Sequence, residues 1–158
     1  MIKDYGPILE DGVPSITTTA DNKWLFAGND QGHLKQICLE SQQVVHNYGR
    51  IHNDSIVCLE TTGDSKSLIT GSDDGHVKRI SVEARQVDKV IGEVSYDGIR
   101  TIKITADGEK LIVGCLGGYL KLISLIDGEL IKDFRKVHDN IITGIKMTAD
   151  HKIILTSS

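Results

Sequence analysis

Short runs of apolar residues alternate with turn residues along the whole chain, and the middle of the chain shows this pattern most clearly. Residues 56–61, 68–72, 77–82 and 87–91 are runs rich in Ile, Leu and Val, with the length typical of strands. The Asp73-Asp74-Gly75 segment between two of these runs indicates a tight hairpin, because glycine accepts the positive φ that such turns require. Helical periodicity is nowhere sustained over three turns. The pattern therefore predicts an all-β chain.

The pattern recurs every 43 residues without a gap, so the chain is built from internal repeats. An aspartate marks the first turn of each copy, as Asp21, Asp64, Asp107 and Asp150. A glycine recurs in the second strand, a second glycine recurs in the hairpin, and a lysine follows three residues after the hairpin glycine. These residues are Gly28, Gly71 and Gly114; Gly32, Gly75 and Gly118; and Lys35, Lys78 and Lys121.

The repeat predicts a single domain over residues 1–158. Complete repeats of four strands fall at about residues 12–54, 55–97 and 98–140, and a partial repeat of two strands falls at 141–158. Residues 1–11 are predicted to be the fourth strand of a preceding repeat, since MIKDYG aligns with VVHNYG near the end of the first complete one.

Composition narrows the classes of function. The chain carries 18 Lys and Arg against 22 Asp and Glu, a net charge of −4 that disfavours general nucleic-acid binding. The longest uncharged stretch, residues 111–120, is shorter than the about 20 residues that cross a bilayer, and Asp4 interrupts the place of a signal-peptide core. Three widely spaced cysteines without a CxxC pair favour reduced thiols. We expect a cytoplasmic protein that neither inserts into membranes nor binds nucleic acid.

Four-stranded repeats of about 43 residues resemble the blades of the WD40 β-propeller family. The segment GSDDGHVKRIS at residues 71–81 resembles the second half of such a blade, with Ile80-Ser81 where the family has Trp-Asp. The same substitution recurs as Ile37-Cys38 and Ile123-Ser124. The resemblance covers essentially the whole chain. It implies an all-β β-propeller of four-stranded antiparallel blades, here a partial arc of three full blades plus flanking strands.

The resemblance also implies structural roles. In the family, a loop histidine, a strand hydroxyl, a turn aspartate and the tryptophan form a buried hydrogen-bonded set. The second repeat keeps the histidine and the aspartate, with Thr70 or Ser72 as the hydroxyl, but no repeat has all four members. We therefore expect Ile, Leu and Val packing between sheets to stabilise the blades. The predicted structural residues are His52, His138, Asp74, Gly28, Gly71, Gly114, Gly32, Gly75 and Gly118.

The sequence has no strong catalytic or metal-binding motif. His33 and His76 are equivalent residues, but Tyr119 takes their place in the third repeat, and no His or Cys set has the spacing of a zinc site. No G-x-S-x-G nucleophile elbow is present. The repeated lysines lie between aliphatic neighbours, so we expect packed stems with solvated ammonium groups. We predict no catalytic, cofactor-binding or metal-binding residue.

Acidic and amide residues concentrate in loops that a propeller gathers on one face, which we call the loop face. The turns between second and third strands and the connections between blades supply Asp11, Asn29, Asp30, Asn53, Asp54, Asp73, Asp74, Asp97, Asp139 and Asn140, with no Lys or Arg. WD40-like propellers typically present this face to other proteins, which implies a protein or peptide partner with a basic or amide-rich surface. Phosphopeptide binding is disfavoured, because it needs an arginine cluster. An equal alternative is that these residues are simply good turn formers.

The sequence therefore favours a non-catalytic protein–protein interaction scaffold without a cofactor. One alternative is an enzyme propeller of the quinoprotein type, which residues 122–134 loosely resemble, although that family has a tryptophan in each repeat and usually an export signal. Another is a self-assembling structural unit. An open arc leaves sheet faces and strand edges bare, so we expect either a segment of a longer propeller or self-association of the chain.

Overall fold

The structure, a computed structural model, describes residues 11–148 and 153–158. These residues contain fourteen strands and no helix, hence no helix able to span a bilayer. The strands are β1 (Ser15–Thr18), β2 (Trp24–Gly28), β3 (His33–Cys38), β4 (Val44–Arg50), β5 (Ile56–Thr61), β6 (Ser67–Ser72), β7 (His76–Ser81), β8 (Gln86–Glu93), β9 (Ile99–Ile104), β10 (Lys110–Cys115), β11 (Tyr119–Ser124), β12 (Leu130–Lys136), β13 (Gly144–Met147) and β14 (Ile154–Ser157). The opening strand predicted within residues 1–11 and the turn aspartate Asp150 lie outside the described residues, apart from Asp11.

The strands form antiparallel sheets in chain order. Three sheets have four strands each, β1–β4, β5–β8 and β9–β12, and β13 pairs with β14. The prediction of an all-β fold built from four-stranded units is therefore confirmed. In the second sheet, β5 has the predicted bounds, and the other three strands begin and end within two residues of those predicted.

Consecutive sheets meet through equivalent first strands. β1 lies beside β5, β5 beside β9, and β9 beside β13. The hydroxyl of Thr61 on β5 donates to the carbonyl of Thr18 on β1 at 2.9 Å, and the carboxylate of Glu60 on β5 accepts from the amide of Ile104 on β9 at 2.6 Å. Sheets that meet in this order are blades arranged around a common axis. Residues 11–148 and 153–158 thus form a partial β-propeller of three full blades followed by two strands.

Aliphatic side chains fill the space between blades, as expected. Phe26 and Leu34 of the first blade pack with Ile56, Leu68 and Ile80 of the second, all of them fully buried. A further apolar cluster joins the second blade to the third, and another joins the third to β13. Burial of this apolar area is the main source of stability between neighbouring sheets.

Gly71 on β6 shows why a glycine recurs in the second strand. A Cβ at this position would lie 2.6 Å from Sγ of Cys58 and 2.9 Å from Cγ2 of Ile99 on the next blade. Gly28 and Gly114 meet an isoleucine of the next blade in the same way, at 2.7 and 2.8 Å. Glycine therefore allows adjacent sheets to approach more closely than any side chain would permit.

The hairpin glycines meet a different requirement. Gly75 has a φ of +79°, and a Cβ there would lie 1.9 Å from the carbonyl oxygen of Ser95 in the connection to the next blade. Gly32 and Gly118 have a φ of +80° and similar contacts. These glycines combine a left-handed conformation with a close backbone approach at the loop end of each blade.

A Thr-x-Asp turn joins the first two strands of each full blade at the opposite end. In the third blade the hydroxyl of Thr105 donates to Oδ1 of Asp107 at 2.5 Å and accepts from the amide of Lys110 at 3.1 Å. The same two bonds occur in the equivalent turns, at 2.6 and 3.1 Å from Thr19 and at 2.6 and 3.0 Å from Thr62. The repeated aspartate therefore works together with a repeated threonine.

Candidate functional site

The loop face is continuous across the three full blades, because the two connections between them are hydrogen-bonded to the hairpins on both sides. The amide of Ile56 donates to the carbonyl of Asn29 in the first blade at 3.0 Å. The amide of Asp73 in the second blade donates to the carbonyl of Ser55 at 3.1 Å. The connection from residue 51 to 55 is thus fixed between two hairpins, and the side chains of both kinds of loop lie together.

Seven of the ten predicted loop-face residues are exposed, two are partly buried and one is buried. The exposed ones are Asp11, Asp30, Asn53, Asp54, Asp97, Asp139 and Asn140, while Asp73 and Asp74 are partly buried. Asn29 is a correction to the prediction, since it is only 2% exposed. Its Oδ1 accepts from the amides of Gln31 and His33 at 3.1 and 2.8 Å, so this side chain shapes its own hairpin and does not face a partner.

Acidic side chains of neighbouring blades approach one another on this face. Burial raises the pKa of Asp73, the charge of Arg100 opposes this, and the carboxylates of Asp54, Asp74 and Asp30 raise it further. Oδ1 of Asp73 is buried and has no hydrogen-bond partner among the described residues. The centre of the face is therefore a region of negative potential.

Cations also reach the face, which corrects the prediction of a surface without Lys or Arg. Arg50, at the end of β4, donates to the carbonyls of His52 and Asn53 at 3.2 and 2.6 Å. The positive charge of Arg100 on β9 acts to lower the pKa of Asp73. Nζ of Lys136 lies 3.6 Å from Oδ1 of Asp139. Because these cations come from strands and not from the loops, the loop sequences alone did not reveal them.

His52 forms the centre of the hydrogen-bonded set predicted for the second blade. Its Nδ1 lies 3.0 Å from the carboxylate of Asp74 and donates to it, so Nε2 accepts from the hydroxyl of Thr70 at 2.8 Å. Burial lowers the pKa of His52 in spite of the nearby carboxylate, which keeps the ring neutral. Of the two hydroxyls considered from the sequence, Thr70 therefore contacts the histidine.

Asp74 holds the loop end of the blade together. Burial acts to raise the pKa of Asp74, but hydrogen bonds from the amides of Asn53 and His76 and from His52 hold it below the usual value. In the last two strands, Nε2 of His138 lies 2.8 Å from Oγ1 of Thr156, which repeats the pairing of His52 with Thr70. These contacts give His52, His138 and Asp74 the environment of structural residues.

The repeated lysines pack their stems, but their ammonium groups are not simply solvated. Nζ of Lys78 donates to the carbonyl of Ile51, and Nζ of Lys121 donates to the carbonyl of Val94. Both carbonyls belong to the segment that follows the fourth strand, at equivalent places 43 residues apart. The expectation of solvated ammonium groups was wrong for these two lysines, which tie the third strand to the loop.

The histidines and cysteines considered as metal ligands can be compared with the structure. Among residues 11–148 and 153–158, no three His, Cys, Asp or Glu side chains come together as metal ligands. Burial raises the pKa of the Cys58 thiol to about 12 and also raises the pKa of Cys115. Residues 122–134, which loosely resemble a quinoprotein segment, form the end of β11, the following turn and most of β12.

Comparisons with known proteins agree with this fold. The family model for the WD domain, G-beta repeat, matches residues 43–79, which confirms the WD40 resemblance for the second repeat. No curated protein sequence matches the chain.

Solved structures extend the agreement to nearly the whole chain. A protein chain in the crystal structure of the mitotic checkpoint complex superimposes with a TM-score of 0.82 and 16% identity, over 91% of this chain and 43% of that one. Kuenenia stuttgartiensis hydrazine synthase superimposes with a TM-score of 0.80 and 19% identity, over 96% of this chain and 44% of that one. The present chain thus spans less than half the length of either protein, and the likeness concerns the fold.

Proposed function

We propose that this chain, a partial β-propeller with a WD40 repeat at residues 43–79, is a non-catalytic scaffold that binds other proteins through its loop face. The observation that carries the proposal is the set of exposed carboxylates on that face, with Asp54 and Asp97 at equivalent places in the connections between blades and Asp30 in a hairpin. Rigid loops that present repeated like charges favour a partner of opposite charge.

The scaffold beneath the face supports a role in recognition. Backbone hydrogen bonds between connections and hairpins fix the loops before a partner arrives, so little conformational entropy is lost on binding. Carboxylates outnumber cations on the loop face, which suits a partner surface rich in Lys, Arg or amide groups. The WD40 repeat and the fold shared with a chain of the mitotic checkpoint complex, an assembly of proteins, also support this function.

Charge reversal of the loop face tests the proposal. A partner is captured from the native source, and its affinity is measured for the wild-type chain and for the triple variant Asp54→Lys, Asp97→Lys and Asp139→Lys. We expect binding at least a hundredfold weaker in the variant, and an affinity for the wild type that falls as the salt concentration rises.

The matched control reverses three exposed carboxylates that lie in the connections from third to fourth strands or just after them. These are Glu40, Glu83 and Glu129, each changed to Lys. The control should bind the partner as the wild type does. Equal affinity of the loop-face variant and this control would contradict the proposal, provided that both variants unfold at the wild-type temperature.

A further inference from the structure

A small cavity opens at the loop end of the third blade. Its volume is about 270 Å³, close to the lower limit for sites that hold small molecules, and its size suits one large side chain. The residues around it belong to the connection after β8 and to β11 and β12, and they are Ser95, Tyr96, Asp97, Tyr119, Lys121 and Asp133.

At this cavity the third blade lacks the hydrogen-bonded set of the second. Ser95 stands where the second repeat has His52, and Gly117 stands where it has Asp74. The connection has the same backbone course at both places, because the carbonyl of Ser95 approaches Gly75 of the preceding blade as the carbonyl of His52 approaches Gly32. The third blade therefore lacks the imidazole of the second, and Asp97 and Tyr119 lie where the side chain of Asp74 would be.

The walls of the cavity are aromatic and acidic. A Cβ built on Gly117 would lie 2.7 Å from Oδ2 of Asp97 and 3.1 Å from the ring of Tyr119, so a carboxylate and an aromatic ring converge over this glycine. Tyr96 is 94% exposed, although the equivalent residues, Asn53 and Asp139, are polar. An almost fully exposed tyrosine beside a cavity is an available surface for a ligand.

The charges in the cavity leave a net negative site. Lys121 and Asp133 are paired across β11 and β12, yet the ammonium of Lys121 donates to the carbonyl of Val94. Oδ1 of Asp133 accepts from the amide of Arg135 at 2.6 Å, and no ion pair within the described part of the chain engages Asp133 or Asp97. Two carboxylates thus face a single ammonium group that is already bound to the backbone.

We propose that this cavity binds the guanidinium group of an arginine presented by a partner protein. A planar guanidinium stacks on tyrosine rings and donates to two carboxylates at once, which an ammonium group does less well. The inference rests on the proposed function, because Asp97 belongs to the loop face, and it specifies one partner residue for that face.

Small probes test the cavity without a partner. N-acetyl-arginine-methylamide is titrated into the full chain, and amide chemical shifts are followed by NMR. The citrulline analogue is the matched control, since it has the shape of arginine without the charge. We expect saturable shifts at Asp97, Tyr119 and Asp133 with the arginine probe, and at least tenfold weaker binding of citrulline. Equal binding of both probes, or tighter binding of N-acetyl-aspartate-methylamide, would overturn the proposal.

Variants then locate the site. Ser95→His restores the residue found in the second blade and should abolish binding by filling the cavity while leaving every charge in place. Asp133→Asn should weaken binding at least fivefold. Glu129→Gln removes an equally charged and exposed side chain at the opposite end of the same blade and should leave binding unchanged. Wild-type binding by both Ser95→His and Asp133→Asn would place the arginine elsewhere and refute the assignment.

The two proposals fail in different ways. A captured partner that ignores the loop-face charge reversal, which includes Asp97→Lys, would contradict both proposals. A partner that responds to the charge reversal but binds normally to Ser95→His would support the loop face and contradict the cavity.

Discussion

Glu60 and Lys103 occupy the same position of consecutive repeats, 43 residues apart, and form an ion pair across the boundary between the second and third blades. The same carboxylate accepts from the amide of Ile104 at 2.6 Å. Both side chains are partly screened from solvent. One acidic residue thus links the innermost strands of two blades by a charge and by a backbone hydrogen bond.

Reversing the charge of Glu60 should destabilise the chain. In Glu60→Lys, two ammonium groups face each other and the amide of Ile104 loses its acceptor, so we expect a loss of about 1–3 kcal/mol in the free energy of unfolding. Adding Lys103→Glu should recover part of this loss, because opposite charges again meet while the bond to Ile104 is not fully restored. Urea unfolding of the two single variants and the double variant measures the coupling.

The control for this double-mutant comparison is Glu83→Lys, which also replaces a carboxylate by an ammonium group but at an exposed site. It should alter stability by less than about 0.5 kcal/mol. If the double variant loses as much free energy of unfolding as the two single variants together, Glu60 and Lys103 do not interact energetically.

Gly71 should not tolerate even one methyl group. In Gly71→Ala the new Cβ would lie 2.6 Å from Sγ of Cys58 and 2.9 Å from Cγ2 of Ile99 on β9, so β6 must move away from the third blade, at a cost of about 1–3 kcal/mol. Gly63→Ala is the matched control, because a Cβ there meets nothing within 4 Å. Thermal unfolding compares the two variants. A Gly71→Ala protein as stable as Gly63→Ala would mean that the blades are not closely packed at this point.

The architecture was predictable because the signals that determine it are local and repeated. Aspartates and glycines at a constant spacing indicate the turns, and the aliphatic runs between them indicate the strands. The contacts of His52 with Thr70 and Asp74 were also predictable, since all three positions belong to one blade motif. Even the pair of Glu60 and Lys103 leaves a signal, because opposite charges stand at equivalent positions of adjacent repeats.

Other properties of the loop face depend on three-dimensional geometry. Asn29 is buried because its side chain turns back onto amides of its own hairpin. Arg100 reaches the face from the start of a strand, outside the loops in which acidic residues were counted. The ammonium of Lys121 bonds to a carbonyl 27 residues away in the chain. Such contacts follow from how strands and loops converge in space, which strand periodicity does not specify.

Stability should fall in mild acid because of His52. Burial keeps the pKa of this ring in the folded chain below the 6.5 of an unfolded histidine. At a pH between the folded and unfolded pKa values, His52 binds more protons in the unfolded chain than in the folded one. The contribution of His52 to the free energy of unfolding is therefore complete above pH 6.5 and declines as the pH falls below that value. The decline attributable to this residue is at most about 1.4 kcal/mol per pH unit.

Urea unfolding between pH 7.5 and 5 measures this dependence. His52→Gln should be less stable than the wild type at pH 7.5 and should lose less stability on acidification. Gln31→Ala, at an exposed position between β2 and β3, changes no titratable group, so it is the control and should retain the wild-type dependence on pH. The explanation fails if His52→Gln and the wild type lose the same free energy between these pH values.

Strong acid should remove the stability that the Thr-x-Asp turn of the third blade contributes. Hydrogen bonds from Thr105 and from the amide of Glu109 lower the pKa of Asp107 to about 2, with the ammonium of Lys110 at 3.1 Å adding to the effect. The unfolded value is 3.8, so the stability that ionised Asp107 contributes is complete above pH 3.8 and is lost as the pH falls towards 2.

Removing the hydroxyl of Thr105 should raise the pKa of Asp107 towards its ordinary value, because the largest stabilising interaction of the carboxylate is lost. Carbon-detected NMR titration of the Asp107 carboxyl in Thr105→Val measures this change directly. Thr105→Ser keeps a hydroxyl at the same place and should titrate close to the wild type. Titration of Asp107 at the same pH in the Val and Ser variants would show that the backbone amide of Glu109, and not the threonine, sets the acidity of this turn.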